Sequence, residues 1–70
     1  MNKANRLQML LDIKTLGITM RNIAAMTNHD AEMARKIYAI RNVIFKRYDA
    51  RDALGCMLKI HIALKASERD

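Results

Sequence analysis

The feature that most constrains the fold of this chain is the absence of proline, together with only two glycines among 70 residues. Proline and glycine are the residues that most readily interrupt helices. No segment alternates apolar with polar residues for long enough to predict a strand. Apolar residues recur instead at intervals of three and four along most of the chain, which is typical of amphipathic helices. The sequence therefore predicts an all-α protein.

Turn and capping residues divide this helical pattern into four predicted helices. Gly17 is expected to end the first helix in a left-handed conformation, with Thr19 capping the second. Asp30 is the expected N-cap of the third helix, and Asp49 with Asp52 resembles a capping box that opens the fourth. The prediction is a compact bundle of four helices, at about residues 3–16, 20–27, 31–48 and 50–66.

The small size of the chain limits how it can be stabilised. Seventy residues build one core at most, so a single helical domain over residues 1–70 is expected. Cys56 is the only cysteine, which excludes an internal disulfide. Together with His29 and His61 it lacks the spacing of a zinc site, so no metal or cofactor is expected. Self-association is the remaining support, and a homodimer is predicted.

The apolar segments are too short for a membrane protein. None approaches the roughly 20 residues that cross a bilayer. The amino-terminal segment is a short amphipathic stretch containing Asp12, and it lacks the apolar block of a signal peptide. The sequence therefore predicts a cytoplasmic protein that does not bind membranes. In the first predicted helix, apolar residues cover more than half the circumference and leave a narrow polar strip of Asn5, Gln8, Asp12 and Thr15.

Positive charge is concentrated in one part of the chain. The formal net charge is +6, and the segment 35–51 contains a single acid, Asp49, beside the bases Arg35, Lys36, Arg41, Lys46, Arg47 and Arg51. Such a segment favours encounter with polyanions. The alternative is a solvated helix face that only keeps the protein in solution.

One stretch has the pattern of a known DNA-binding unit. Residues 19–37 resemble the helix-turn-helix, in which one helix braces across the DNA backbone while the next lies in the major groove. The residues that carry the resemblance are Ile23, Ala24, Asn28, Asp30, Ala34 and Ile37. Asn28 stands where the family usually has glycine, and Thr27 and His29 stand where it has aliphatic residues. The alternative is a pair of packed helices without a role in DNA binding.

The resemblance implies a set of DNA contacts. Side chains early in the helix 31–48 would face base edges, and those of the preceding helix would contact phosphate. The residues expected to face bases are Ala31, Glu32, Arg35 and Lys36, with Asn42 and Lys46 further along, and those expected at phosphates are Arg21 and Asn22. A helical wheel places Arg35, Asn42 and Lys46 within about 40° of one another, away from the apolar seam. Arg35 is the expected base reader, because a guanidinium can bind guanine with two hydrogen bonds.

The sequence contains no recognisable catalytic apparatus. His29 followed by Tyr38 resembles the late histidine and nucleophilic tyrosine of tyrosine recombinases, but that chemistry also needs two arginines and a much longer domain. Cys56 and His61 lie five residues apart, which turns their side chains roughly 140° from each other on a helix. Paired acids in a cleft, a nucleophile with its base and a metal site are all lacking. The protein is therefore not expected to be an enzyme.

Two polar residues fall on apolar faces. Arg41 lies between Ile37 and Ile44, so it is expected either to extend its head group to solvent or to pair with an acid. The candidate acids are Asp12, Asp49 and Asp52, or an acid of a second subunit. His61 lies among leucines and is expected to be a neutral, hydrogen-bonded residue of the core or of an interface.

Two functions are consistent with these patterns. The first is a dimeric, sequence-specific DNA-binding transcriptional regulator that uses the helix 31–48 for recognition. The second is a small dimeric interaction module, an inhibitor or adaptor that covers a surface of another protein. The second follows from the wide apolar arc of the first helix and from Val43 and Ile62, which point toward the polar sides of their helices.

Overall fold

A computed structural model describes residues 3–26 and 30–68, and it contains three helices. These are α1 (Lys3–Ala25), α2 (Ala31–Arg47) and α3 (Ala53–Ser67). The all-α prediction is confirmed. The prediction of four helices is wrong, because the first two predicted helices form one continuous helix. The expected turn residues Thr27, Asn28 and His29 lie outside the described residues.

The helix α1 runs through Gly17 without a break. No described glycine has a positive φ, so Gly17 is not the left-handed residue that was expected to end a helix. Thr19 is not an N-cap either, since it is buried inside α1 and its hydroxyl donates to the carbonyl of Leu16 at 2.8 Å. Leu16 and Thr19 lie on the same buried side of α1 as Met9. Burial on both sides of Gly17 therefore favours one long helix over two short ones.

The turn between α2 and α3 is centred on Asp49, which follows α2 in a left-handed backbone conformation. Its φ is 51°. The N–H of Ala50 donates to the carbonyl of Phe45 at 2.8 Å, and the N–H of Asp49 donates to that of Lys46 at 3.3 Å. These two bonds form a Schellman motif. In addition, Lys59 of α3 donates to the carbonyl of Asp49 at 2.6 Å. The predicted helix start at residue 50 is wrong, because Asp49 ends α2.

The first turn of α3 is capped by Asp52. Its backbone is extended, and its carboxylate accepts a hydrogen bond from the N–H of Gly55 at 2.6 Å. Asp52 is therefore the N-cap, whereas the capping-box prediction gave that role to Asp49. At the start of α2, Asp30 occupies the predicted N-cap position, but its side chain forms no capping hydrogen bond.

The hydrophobic core lies where the three helices meet. Its buried side chains are Met9 and Leu16 of α1, Ile44 of α2, and Cys56 and Ile60 of α3. Half-buried residues, including Phe45 and Met57, pack against this cluster. The whole molecule measures 47 × 19 × 18 Å. So narrow a body has only one layer of side chains to bury between its helices.

The helix α2 folds back along α1. Asp12, in the middle of α1, contacts Arg47 and Tyr48 at the end of α2. Asp12 is about 20 Å from the end of α1, and Arg47 is about 24 Å from the start of α2. Asp12 and Arg47 therefore lie at similar distances from the end of α1 and the start of α2, which follow each other in the chain. Their contact requires α1 and α2 to run antiparallel. Helices of a helix-turn-helix cross at about 90–120° instead.

Candidate functional site

The strongest candidate site is a polar ridge along the outer side of α2. Arg35, Asn42 and Lys46 are all exposed. Ile37 and Ile44, which point into the protein, lie on the opposite side of the same helix. We call the three exposed residues the α2 ridge. Their shared orientation is the arrangement that the sequence predicted.

Other predicted DNA contacts surround the start of α2. Ala31 is the first residue of the helix and is exposed. Glu32 and Lys36 are exposed too, and they line a shallow groove with Asp30 and Met33. Glu32 gives this groove an acid that would repel a phosphate.

The two residues expected to contact phosphate lie apart from the α2 ridge. Asn22 lines a groove with Met33, between the end of α1 and the start of α2. Met33 and Arg35 point about 160° apart on α2, so Asn22 does not join the surface that contains Arg35. Arg21 is exposed on α1, about 100° around the helix from Asn22. The structure therefore does not gather the eight predicted residues into one surface.

A buried carboxylate joins α1 to α2, and the sequence analysis named it only as one possible partner of Arg41. Asp12 accepts hydrogen bonds from Arg47 at 2.6 and 2.7 Å, from the Tyr48 hydroxyl at 2.5 Å and from Gln8 at 3.0 Å. Asp12 is only 3% exposed. Its place in a polar strip on a largely apolar helix was the available signal, since such a strip can face a neighbouring helix as well as water. We call this group the Asp12 hub.

The hub changes the acidity of its members. Burial acts to raise the pKa of Asp12, but hydrogen bonds from Arg47, Tyr48 and Gln8 outweigh it and hold that pKa below its ordinary value. Burial and the hydrogen bond to Asp12 raise the pKa of Tyr48 well above its ordinary range. At neutral pH the hub is therefore a carboxylate, a guanidinium and a neutral phenol. This arrangement suits a structural role, the joining of α1 to α2, rather than proton transfer.

Arg41 does not form the ion pair with Asp12 that the sequence allowed, because Arg47 occupies that carboxylate. The guanidinium carbon of Arg41 lies 5.5 Å from the ring centre of Tyr38 and 5.3 Å from that of Phe45. Its buried Nε has no hydrogen-bond partner. Two aromatic faces therefore hold this cation, and its charge is less available to a ligand than that of the α2 ridge.

His61 and Cys56 lie on different sides of α3. His61 is exposed, so it is not a residue of the core, and its place at an interface stays a prediction. Cys56 is fully buried, and burial raises the pKa of its thiol. A protonated, buried thiol is a poor nucleophile. Within residues 3–26 and 30–68, no cluster of three or more His, Cys, Asp or Glu residues could hold a metal ion.

Each helix also carries exposed apolar side chains. The sequence drew attention to Val43 and Ile62, but the structure shows far more. They include Leu7, Leu11 and Ile18 on α1, Met33, Ile40 and Val43 on α2, and Leu54, Leu58 and Ile62 on α3. Continuous apolar stripes of this kind are typical of surfaces that contact a partner.

The comparisons with known proteins identify no relative. No protein-family model matches the chain, and no match is found among the curated proteins or the solved structures. In the described part of the chain, no helix has the length and apolar character needed to span a membrane. The case for a function therefore depends on the surfaces of the protein itself.

Proposed function

We propose that this chain is a homodimeric, cytoplasmic DNA-binding regulator that contacts double-stranded DNA with the α2 ridge. The observation that supports the proposal is the exposure of Arg35, Asn42 and Lys46 on the side of α2 opposite the core. A helix of this length, about 25 Å, fits the major groove of DNA. The net charge of +6 favours the encounter.

The proposed contacts divide by their chemistry. Arg35 carries a guanidinium that can form two hydrogen bonds with guanine, and Asn42 carries an amide that can form two with adenine. Lys46 is a point charge suited to phosphate. Lys36 and Ala31 border this set. Because α1 and α2 are antiparallel, the contacts of the preceding helix would differ from those of a helix-turn-helix.

The test is a titration of fluorescently labelled DNA duplexes, followed by anisotropy at several salt concentrations. Lys46→Ala should weaken binding to every duplex and reduce the slope of log affinity against log salt by about 1. Arg35→Ala should instead reduce the difference in affinity between the best and the poorest duplex. Lys65→Ala is the matched control, because Lys65 is exposed on α3.

Two outcomes would remove the proposal. One is weak binding that does not distinguish between duplexes. The other is an equal loss of affinity in Lys46→Ala and Lys65→Ala, since that result would assign the binding to net charge rather than to the α2 ridge.

The second candidate function is a helical interaction module that covers a surface of another protein. The observation that favours it is the set of exposed apolar stripes on α1, α2 and α3. A DNA-binding surface has no need of leucines on the other two helices. If binding to DNA fails while substitutions in an apolar stripe abolish binding to a protein partner, this second function replaces the first.

A further inference from the structure

The outer side of α1 carries an apolar track that nothing else in residues 3–26 and 30–68 covers. Leu7 is 62% exposed, Leu11 is 59% exposed and Ile18 is 46% exposed. Their spacing of four and seven residues keeps them within about 40° of one another. The opposite side of α1, with Met9, Asp12, Leu16 and Thr19, is the buried one. The track therefore faces away from the rest of the protein.

The exposed charges on α1 are all positive. Lys3, Arg6, Lys14 and Arg21 are exposed. Asp12 is the only acid in the helix, and it is buried against Arg47. Lys14 and Arg21 follow Leu7 at intervals of seven, which places them beside the apolar track. We call this combination of apolar track and basic residues the α1 outer face.

We propose that the α1 outer face is a docking surface for an acidic amphipathic helix of a partner protein. Leucines of that helix would pack on Leu7, Leu11 and Ile18, and its glutamates would pair with Lys14 and Arg21. Helices that pack side by side with a seven-residue repeat combine apolar and charged contacts in this way. This inference goes beyond DNA binding and gives the second candidate function a partner of defined chemistry.

The charges argue against the other occupants. A second copy would bring the same four bases against each other, and like charges across an interface are unfavourable. A lipid surface would draw Lys14 toward the hydrocarbon, because Lys14 lies between Leu11 and Ile18 along the helix and points within about 20° of Leu7. Nucleic acid would leave the leucines without an apolar partner. An acidic helix satisfies both kinds of side chain.

The length of the α1 outer face sets the size of the partner segment. Lys3 and Arg21 are separated by about 27 Å along the helix axis. A partner helix of about five turns would span it.

The test uses a synthetic peptide of about three heptads, with leucine at the a and d positions and glutamate at e and g. Its glutamates keep it from pairing with itself. The peptide is labelled and titrated with the full chain, with fluorescence anisotropy as the readout. Leu11→Ser should weaken binding about tenfold. Val43→Ser on α2 is the matched control, since Val43 is 58% exposed, and it should leave the affinity unchanged.

A charge exchange tests the electrostatic half of the proposal. Lys14→Glu should weaken binding of the glutamate peptide about tenfold and strengthen binding of a peptide with lysine in place of glutamate. Lys65→Glu on α3 should do neither. Circular dichroism of each variant establishes that the helices are retained. Binding of labelled DNA by Leu11→Ser should match that of the unaltered chain, so this inference and the DNA-binding proposal can fail separately.

Several results would overturn the inference. They are the absence of saturable peptide binding, an equal loss in Leu11→Ser and Val43→Ser, and no change of preference in Lys14→Glu. Sedimentation that shows Leu11→Ser dissociating a dimer would assign the α1 outer face to a second copy. Binding to phosphatidylglycerol vesicles that is lost in Leu11→Ser, without binding to the peptide, would assign it to lipid.

Discussion

At the scale of single residues, the contacts of Asp12 show how one buried charge fixes the pairing of two helices. The carboxylate accepts from three side chains, two of which belong to the end of α2. A buried carboxylate is costly unless it is paired and hydrogen-bonded. Any register that moved Arg47 and Tyr48 away from Asp12 would leave that cost without compensation. The hub therefore selects the antiparallel pairing of α1 with α2.

The hub predicts a loss of stability in acid. Because hydrogen bonds and Arg47 lower the pKa of Asp12 in the folded state, the unfolded chain binds this proton more readily. The stabilisation is fully present above the ordinary pKa of 3.8 and is lost as the pH falls through the lower folded value. Urea unfolding followed by circular dichroism, between about pH 7 and about pH 3, should show the decline.

Asp12→Asn should unfold more easily at neutral pH, by roughly 2 kcal/mol. The figure is at the low end for a buried pair, because the Arg47 side chain is 40% exposed and can reach water. The variant should also lose most of the acid dependence. Glu32→Gln, which removes an exposed acid, is the control and should keep that dependence. Equal pH profiles for Asp12→Asn and the unaltered chain would contradict the prediction.

The left-handed conformation of Asp49 is a second prediction at this scale. Glycine adopts a positive φ without steric cost, whereas aspartate has a Cβ atom that opposes it. The interaction of Lys59 is with the main-chain carbonyl of Asp49, so it survives substitution. Asp49→Gly should therefore stabilise the fold by roughly 0.5–1 kcal/mol in urea unfolding. Arg51→Gly in the same turn should not, and a less stable Asp49→Gly would refute the argument.

At the scale of elements, α1 is the helix on which the other two pack. Its buried side supplies Met9 and Leu16 to the core and Asp12 to the hub. Asn22 near its end, and Met26 directly after it, line the groove that contains Met33 of α2. Because these contacts lie on both sides of Gly17, a break at that position would cost packing on one side of it.

The continuity of α1 can be tested at Gly17. A Cβ atom at this position would have no neighbour within 4 Å, and glycine inside a helix costs about 0.5–1 kcal/mol relative to alanine. Gly17→Ala should therefore stabilise the protein by that amount in thermal or urea unfolding. Ala24→Gly, at an exposed position of the same helix, should destabilise it to a similar extent. Destabilisation by Gly17→Ala would indicate a left-handed turn and two separate helices.

At the scale of the whole molecule, the protein exposes more surface than its size requires. Its accessible surface is 5552 Å², whereas a folded monomer of 8.1 kDa typically exposes about 4,500 Å². The elongated shape accounts for the difference, since a molecule that measures 47 × 19 × 18 Å encloses little volume for its surface. The surplus includes the apolar stripes. A molecule of this kind gains stability by association.

We expect a dimer in sedimentation experiments, formed through the outer side of α3. Leu54, Leu58 and Ile62 are more exposed as a set than the stripe of any other helix. Leu58→Ser should weaken dimerisation about tenfold. Leu11→Ser should not, because the bases of the α1 outer face oppose self-pairing. A monomer at all concentrations, or a dimer that depends on Leu11 instead, would contradict this prediction.

Some features of this protein follow from the sequence alone. The lack of proline and the spacing of apolar residues predicted an all-α fold, because helix formation depends on local sterics and on the period of the apolar pattern. The same period put Arg35, Asn42 and Lys46 on one side of α2, and the limits of that helix were correct within a residue. These are properties of a single helix. They do not depend on which neighbour it packs against.

Other features were decided only by packing. Whether Gly17 ends a helix or continues one depends on the burial of Leu16 and Thr19 against the other helices, which a local pattern does not contain. The choice of Arg47 rather than Arg41 as the partner of Asp12 required the register between α1 and α2. Asp12 looked like part of a polar strip until α2 covered it. Contacts between residues 35 positions apart have no local signature, so only the tertiary structure determines them.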